Sequence, residues 1–336
     1  MNKIKIAING FGRIGRAAFR IISDRDDCEV VAINDLTDNK TLAHLLQYDS
    51  VFRKFDKDVT FDDENIIVDG KKYFATAEPE PVKLPWSEYD VDVVLECTGF
   101  FVKDGKAYGH IDAGAKRVVI SAPAKGEGDV DTFVIGVMEP DSESTKVISN
   151  ASCTTNCISP VMKVMDEVFG VEKSLMTTVH SYTSTQKLQD GPDKDLRKSR
   201  AAAQNIIPTT TGAAIAATKV LPQLEGKFDG MAMRVPTIDA SISDITIVTK
   251  KDTTEEEVQK AFIEASSGEL KGILGVTDEM LVSSDFIGNS HSTIVDLPLI
   301  KVVGGNLVKV VAWYDNEWGY ANRLVDMAVK HGRMIK

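Results

Sequence analysis

The chain has 336 residues, of which 43% are hydrophobic and 26% charged, and its 39 lysines and arginines against 50 aspartates and glutamates give a net charge of −11. That length exceeds what one hydrophobic core usually serves and predicts two domains, while the acidic balance disfavours nonspecific nucleic-acid or anionic-membrane binding as the main role. Four cysteines are too few for a secreted disulfide framework, no Cys/His cluster has zinc spacing and no apolar run reaches membrane-spanning length, so a reducing cytoplasm is expected and no metal is.

Residues 3–9 alternate as Lys-Ile-Lys-Ile-Ala-Ile-Asn, which predicts an immediate strand and no cleaved leader. Gly10-Phe11-Gly12-Arg13-Ile14-Gly15-Arg16 then opens a helix whose apolar positions are Ala18, Phe19, Ile21 and Ile22. The next apolar run, Val30–Asn34, ends at Asp35, 20 residues after Gly15. In this strand, turn, helix and strand setting, G-x-G-x-x-G reads as a dinucleotide-binding loop. Gly10 permits the tight turn, Gly12 lets backbone approach a pyrophosphate, Gly15 allows close helix–strand packing, and the helix N-terminus attracts the phosphates. Asp35 is expected to accept hydrogen bonds from the adenine ribose hydroxyls and to repel a 2′-phosphate, which predicts NAD rather than NADP.

Short apolar runs at 91–97, 118–121, 133–137 and 147–149 are expected to extend a parallel sheet, and 66–74 reads as a hairpin turning on Asp69-Gly70. Ser149-Asn150-Ala151-Ser152-Cys153-Thr154-Thr155-Asn156-Cys157 sets one thiol among small hydroxyl and amide residues. Ile158, Val161, Met162 and Met165 follow at helical spacing, so Cys153 falls where a helix begins and its N–H groups and dipole favour a thiolate. On this stretch alone Cys153 is either a nucleophile or an inert core thiol, and Cys157, one turn on, either a packing residue or a redox partner.

Beyond Cys153, longer alternating strands at 173–183, 228–235, 241–250 and 307–314, with helices near 213–221 and 254–267, predict a mixed or antiparallel sheet with helices on one face. Residues 184–207, charged and aperiodic, read as a long ordered loop, and a terminal helix starts near Trp318. The expected class is therefore α/β. A Rossmann-type doubly wound parallel sheet occupies residues 1–152, with the helix 318–336 packing back on it, and an α+β catalytic domain with a mostly antiparallel sheet occupies 153–317.

A thiol beside a bound nicotinamide suggests aldehyde oxidation, because thiolate attack makes a thiohemiacetal whose carbon can release hydride. Among His44, His110, His180, His291 and His331, His180 is the best placed base, at the polar end of the strand 175–179. A phosphate-bearing ligand would need local positive charge from Arg13, Arg16, Lys187, Arg197, Arg200 or Arg234.

Four motifs in order, Asn9–Arg16, Ser149–Cys157, Ile206-Ile207-Pro208-Thr209-Thr210-Thr211-Gly212-Ala213-Ala214 and Trp313-Tyr314-Asp315-Asn316-Glu317-Trp318-Gly319-Tyr320, make the whole chain resemble the phosphorylating glyceraldehyde-3-phosphate dehydrogenases. The resemblance implies Cys153 as nucleophile and His180 as general acid/base, within hydrogen-bond reach of each other. It implies Thr183 and Arg234 for the substrate's phosphate, and Ser152, Thr154, Thr211 and Gly212 for an attacking inorganic phosphate. Asn316 would orient the nicotinamide carboxamide with Tyr320 beside it. Arg13 and Ile14 would face the pyrophosphate and adenine side through the glycine loop, with Thr98, Gly99 and Ser121 at strand ends near the cofactor. Gly191-Pro192 matches NAD-using members, and the 184–207 segment resembles a subunit-interface loop, which implies a homotetramer. The rival implied by the same fold is an erythrose-4-phosphate dehydrogenase that hydrolyses its thioester with water. The intact Ser-Cys-Thr-Thr-Asn and Thr-Thr-Thr-Gly runs favour the phosphate-using enzyme.

Overall fold

The computed structural model describes residues 2–126, 130–141 and 144–335; Met1, 127–129, 142–143 and Lys336, all inside the expected first domain and its helix, lie outside the described residues. The chain forms two compact units, one of Met1–Phe133, Pro140–Ala151 and Ala321–Lys336, the other of Val134–Glu139 and Ser152–Tyr320.

In the first unit the strands are β1 (Ile4–Asn9), β2 (Cys28–Asn34), β3 (Val59–Phe61), β4 (Asn65–Val68), β5 (Lys71–Thr76), β6 (Val93–Glu96), β7 (Arg117–Ile120), β8 (Asp131–Thr132) and β9 (Val147–Ser149). They form one sheet in the order β3-β4-β5-β2-β1-β6-β7-β9-β8. From β5 through β8 all pairs are parallel, and β3, β4 and β5 add antiparallel pairs at one edge. Central β1 is covered on both faces, with Ile6, Ala7 and Ile8 fully buried, as a parallel sheet flanked by helices requires. The chain runs outward from β1 to β2 and β5, then returns to β6 on the other side. The strand order therefore reverses at the C-terminal ends of β1 and β6, where a ligand crevice belongs. The expected α/β class and Rossmann-type sheet are what the chain adopts.

Helices α1 (Arg13–Ile22), α2 (Asn39–Gln47) and α3 (Gly109–Asp112) complete this unit, and residues 321–332 of α7 (Trp318–Gly332) belong to it. α1 buries Ala17, Ala18, Phe19, Ile21 and Ile22, its apolar stripe. The hairpin between β4 and β5 turns on Asp69 (φ 48°) and Gly70 (φ 80°), two left-handed residues whose twist suits the strands. One expected strand is absent. Residues 133–137 do not extend the sheet: Val134 and Met138 bridge across a turn through Gly136 (φ 81°), and the sheet is extended by short β8 instead. An apolar run was legible there, but the glycine in left-handed backbone turns it back before it can pair.

The second unit is built on β10 (Val171–Ser181), β11 (Ile207–Thr210), β12 (Phe228–Val235), β13 (Ser241–Thr249), β14 (Leu274–Thr277), β15 (Thr293–Asp296), β16 (Lys301–Val303) and β17 (Leu307–Tyr314). Its path is β11-β12-β10-β13-β17-β15-β14, with β16 on β17, and only the β10–β12 and β14–β15 pairs are parallel. Helices α4 (Cys153–Phe169), α5 (Ala213–Val220) and α6 (Glu255–Ser267) belong to this unit. α4 buries Ile158, Val161, Met162 and Met165 completely, each contributing about 1.5–3 kcal/mol of apolar burial. The start of α6 is fixed by a reciprocal cap: the Thr254 hydroxyl accepts from Glu257 N, and the Glu257 carboxylate accepts from Thr254 N.

Candidate active site

At the switch point the glycines divide their work. Gly10 has φ 92°, and a Cβ there would stand 2.7 Å from Thr98 N; a Cβ on Gly15 would stand 2.1 Å from Gly10 O. These two let β1, the loop after β6 and α1 touch. A Cβ on Gly12 would meet nothing within 4 Å, so its bareness faces open space that a ligand can use. A cavity of about 630 Å³ lies here, lined by Gly10, Gly12, Asn34, Asp35, Thr98 and Phe100 among others. Asp35 closes β2 and its carboxylate accepts from Phe11 N at 2.7 Å and Thr37 N at 3.0 Å, tying the glycine loop to the neighbouring strand end.

Thr98 donates through both its N–H and its hydroxyl to the buried Glu96 carboxylate, which also accepts from Asn9 and faces His110 Nε2 at 3.0 Å. Trp86 donates to His110 Nδ1, so the ring proton sits on Nε2 and points at Glu96. This buried network, missed from the sequence because its members are scattered from 9 to 110, holds the loops around the cavity. Gly99 follows with φ 74°, and Ser121 N donates to Glu96 O. The Arg13 guanidinium pairs with Asp49 and lies over the Phe52 ring, while its backbone continues the glycine loop. Ile14 beside it is half-buried.

In the second unit Ser152 caps α4, accepting from Thr155 N at 3.1 Å, and Cys153 is the first helical residue. β10 carries His180 near its end, and β12 pairs with it in parallel so that Arg234 stands beside His180. Cys153 Sγ lies 3.4 Å from His180 Nε2, although 27 residues separate them. On the other side of the ring, Nδ1 lies 2.7 Å from Ser181 O and 2.6 Å from Arg234 Nη1, which also donates to Ser181 O at 3.0 Å. These two neighbours ask for opposite tautomers. The carbonyl can only accept, which favours Nδ1–H; the guanidinium can only donate, which favours a proton on Nε2, facing the sulfur.

Tyr314 lies beneath, edge-on to His180, with its hydroxyl 2.9 Å from Thr154 Oγ1 and 2.8 Å from Thr178 Oγ1. Burial pushes the His180 imidazole down to about 3, with Arg234 acting in the same direction. Burial also raises the Cys153 thiol above its ordinary value, outweighing the pull of Arg234 and of the Thr154 contacts. Burial and the helix start therefore act on the thiol in opposite directions.

The remaining expected residues are distributed around this pair. Thr183 follows β10 and its hydroxyl meets that of Thr185 at 2.9 Å. Thr211 and Gly212 precede α5, the Thr211 hydroxyl accepting from Ala213 N at 3.1 Å. β11 runs antiparallel to β12 with Ile207 opposite Arg234 and Thr210 opposite Met231. Thr211 therefore begins roughly 13 Å along the ladder from Arg234, so the two threonine-bearing sets are separate. Of the other cations, Lys187 lies 3.9 Å from Asp193, Arg200 pairs with Asp190 at 2.9 Å and Arg16 donates to Phe11 O. Arg197 is exposed. Asn316 is held by Ser241 Oγ at 2.6 Å, and Tyr320 is buried in the first turn of α7. Cys157 is fully buried with its sulfur 3.4 Å from Thr293 Oγ1, and burial raises it to about 12. No group of three or more His, Cys, Asp or Glu among the described residues is arranged to hold a metal ion.

A glycine loop at a Rossmann switch point and a thiol set against imidazole and guanidinium are the parts of a thiol-dependent, NAD-linked aldehyde dehydrogenase. Residues 4–104 match the glyceraldehyde 3-phosphate dehydrogenase NAD binding domain, and residues 152–316 match the C-terminal domain of the same family. Glyceraldehyde-3-phosphate dehydrogenase 1 of Bacillus subtilis and the glyceraldehyde-3-phosphate dehydrogenase of Geobacillus stearothermophilus are each 53% identical over 97% of both chains. That of Streptomyces coelicolor is 51% identical over 99% of both. The chain belongs to the glyceraldehyde-3-phosphate dehydrogenase family.

Proposed function

We propose that the chain oxidises D-glyceraldehyde 3-phosphate with NAD and inorganic phosphate to give 1,3-bisphosphoglycerate. The 3.4 Å contact between Cys153 Sγ and His180 Nε2, in a chain of this family, is the observation that carries the residue assignment. The open face of Gly12 and the acceptor Asp35 fit a dinucleotide held through Gly10, Gly12, Arg13, Ile14, Gly15, Asp35, Thr98, Gly99 and Ser121. Asn316 and Tyr320 meet the nicotinamide end. Bound NAD supplies the hydride acceptor.

Cys153 gives its proton to His180 Nε2 and its sulfur bonds to the aldehyde carbon; the carbonyl π pair goes to oxygen, which takes that proton back from His180 to complete a thiohemiacetal. His180 takes the hydroxyl proton as hydride leaves that carbon, and a thioester remains on Cys153. An oxygen of inorganic phosphate then bonds to the acyl carbon, the C–S bond breaks, and the sulfur leaves as thiolate. Arg234 and Thr183 hold the substrate's own phosphate; Ser152, Thr154, Thr211 and Gly212 hold the attacking one. A phosphate that draws the Arg234 guanidinium to itself leaves Nδ1–H to Ser181 O and turns the Nε2 lone pair toward the thiol.

The two functional domains are proposed as 1–152 with 318–336 for NAD and 153–317 for catalysis. The chain is proposed to act as a cytoplasmic homotetramer. Free cysteines fit that compartment, and in the 184–207 segment Leu188 (86% exposed), Leu196 (83%) and Ile206 (66%) fit a surface that another subunit covers. Among the described residues no helix is long and apolar enough to cross a membrane. A fully active 36.7 kDa monomer in sedimentation would refute the tetramer.

The deciding assay follows NADH absorbance with glyceraldehyde 3-phosphate and NAD, with and without inorganic phosphate, in the native protein and in Cys153→Ser. Sustained phosphate-dependent turnover that vanishes in the variant is expected. Turnover without phosphate would indicate thioester hydrolysis instead.

A further inference from the structure

Ser241 opens β13, is 1% exposed, and its hydroxyl touches two groups. Ser181 N lies 3.1 Å away and the Asn316 side chain 2.6 Å away. A backbone N–H can only donate, so it occupies a lone pair of Ser241 Oγ. The hydroxyl's single proton goes to Asn316, whose nearer atom is then the carbonyl oxygen, Oδ1. The donor count thereby settles which way the amide faces: Oδ1 inward, the NH₂ group outward.

The support behind Ser241 is itself held from two directions. Ser181, fully buried, uses its N–H on Ser241 and its hydroxyl on Ala240 O at 3.0 Å, with Thr237 Oγ1 also at 3.0 Å. Tyr182 N donates to Thr237 O at 3.2 Å. Between these ties Ala240 takes φ 62°, a left-handed conformation that an alanine holds only where neighbours enforce it. The segment 237–241 is thus clamped to the end of β10, at the residue next to His180.

We propose that Ser241 is a positioning residue: through its hydroxyl, the end of β10 fixes the Asn316 amide so that its NH₂ group donates to the carbonyl of the nicotinamide carboxamide. The inference rests on the assignment of Asn316 to the nicotinamide end. It gives that residue a handedness of recognition. The site reads the carbonyl oxygen of the carboxamide, not its NH₂ group, and the same strand end that presents the base aligns the hydride acceptor.

The test is Ser241→Ala in the full-length protein, compared using NAD and its 3-acetylpyridine analogue, which keeps the carbonyl but has no NH₂. The native protein donates to the carbonyl of either. In S241A the freed amide can turn and accept from the NH₂ of NAD, a partner the analogue lacks. We expect kcat/KM with NAD to fall on the order of tenfold, the worth of one hydrogen bond, and the preference for NAD over the analogue to rise. Alkylation of Cys153 by iodoacetamide should keep its native rate, which a general loosening of the unit would change. An unaltered preference, or alkylation falling in step with turnover, overturns the inference. Asn316→Ala separates the two layers. If it leaves kcat/KM unaltered for both cofactors, the Asn316 assignment fails and the inference with it; if it lowers both while S241A leaves the preference unaltered, the inference alone fails.

Discussion

Asp239 is a carboxylic acid only 2% exposed, set against the Asp315 carboxylate. Burial, then the charges of Asp315 and Glu317, push it from the ordinary 3.8 up to about 9. Asp315 accepts from Gly288 N, Glu317 N and Trp318 N, so it is the member of the pair equipped to hold a charge, and Asp239 the one that keeps a proton. The unfolded chain releases that proton near pH 4, while the folded chain retains it until about pH 9. Stability contributed by this residue therefore falls as pH rises across that window. At about 1.4 kcal/mol for each pH unit, the ceiling at neutral pH is roughly 4–5 kcal/mol. Local relaxation lowers it, and Asp239→Asn, which keeps the neutral shape and adds a donor toward Asp315, should gain about 1–3 kcal/mol. Thermal midpoints at roughly pH 5 and roughly pH 8.5 test this. The native protein should lose stability between the two, and D239N should lose much less. Parallel pH dependences in the two proteins would refute the reasoning.

Gly12→Ala should keep the native thermal midpoint yet weaken NAD binding by about tenfold or more, whereas Gly15→Ala, whose Cβ strikes Gly10 O, should lower the midpoint itself; calorimetry and NAD titration separate the two. Arg234→Leu removes a cation that depresses His180, so the imidazole should titrate above about 3, nearer its ordinary 6.5, as NMR of its ring protons would register. Tyr314→Phe leaves the Thr154 and Thr178 hydroxyls without their shared partner and should cost about 1–3 kcal/mol in urea unfolding. Mild peroxide should oxidise Cys153 without a Cys153–Cys157 linkage, because the Cys157 sulfur is directed to Thr293 inside the core; peptide mapping of the oxidised protein decides it.

The fold was legible wherever local chemistry and topology agree. The β1–α1–β2 unit follows from alternation, three glycines and an acid at a strand end, and the hairpin from Asp69-Gly70, because both are encoded within a few residues. The run 133–137 misled because an apolar stretch says nothing of the backbone sign at Gly136. Around the thiol, the helix start at Cys153 was visible in the spacing of Ile158 to Met165. The Arg234 contact with His180 was not, since it depends on β12 joining β10 in parallel across 54 residues. Ser241 and the Glu96–His110 pair were invisible because each acts through a partner distant in sequence, and Tyr314, though inside the motif Trp313–Tyr320, gave no sign of its contacts with Thr154 and Thr178. Nor does residue order reveal how far the Cys153 sulfur is enclosed, which sets the burial that opposes the help of the helix end.

The three hydroxyls of Thr154, Tyr314 and Thr178 form a row of coupled rotors. Each has one proton, so the direction in which one points constrains the next. When the neighbouring sulfur and imidazole change charge, the row can reverse its polarity by rotation about C–O bonds, with no heavy atom displaced. A chain of fixed dipoles would favour one charge state permanently. This one lends its field to whichever state the reaction has reached, and so eases both the gain of charge at the sulfur and its later discharge.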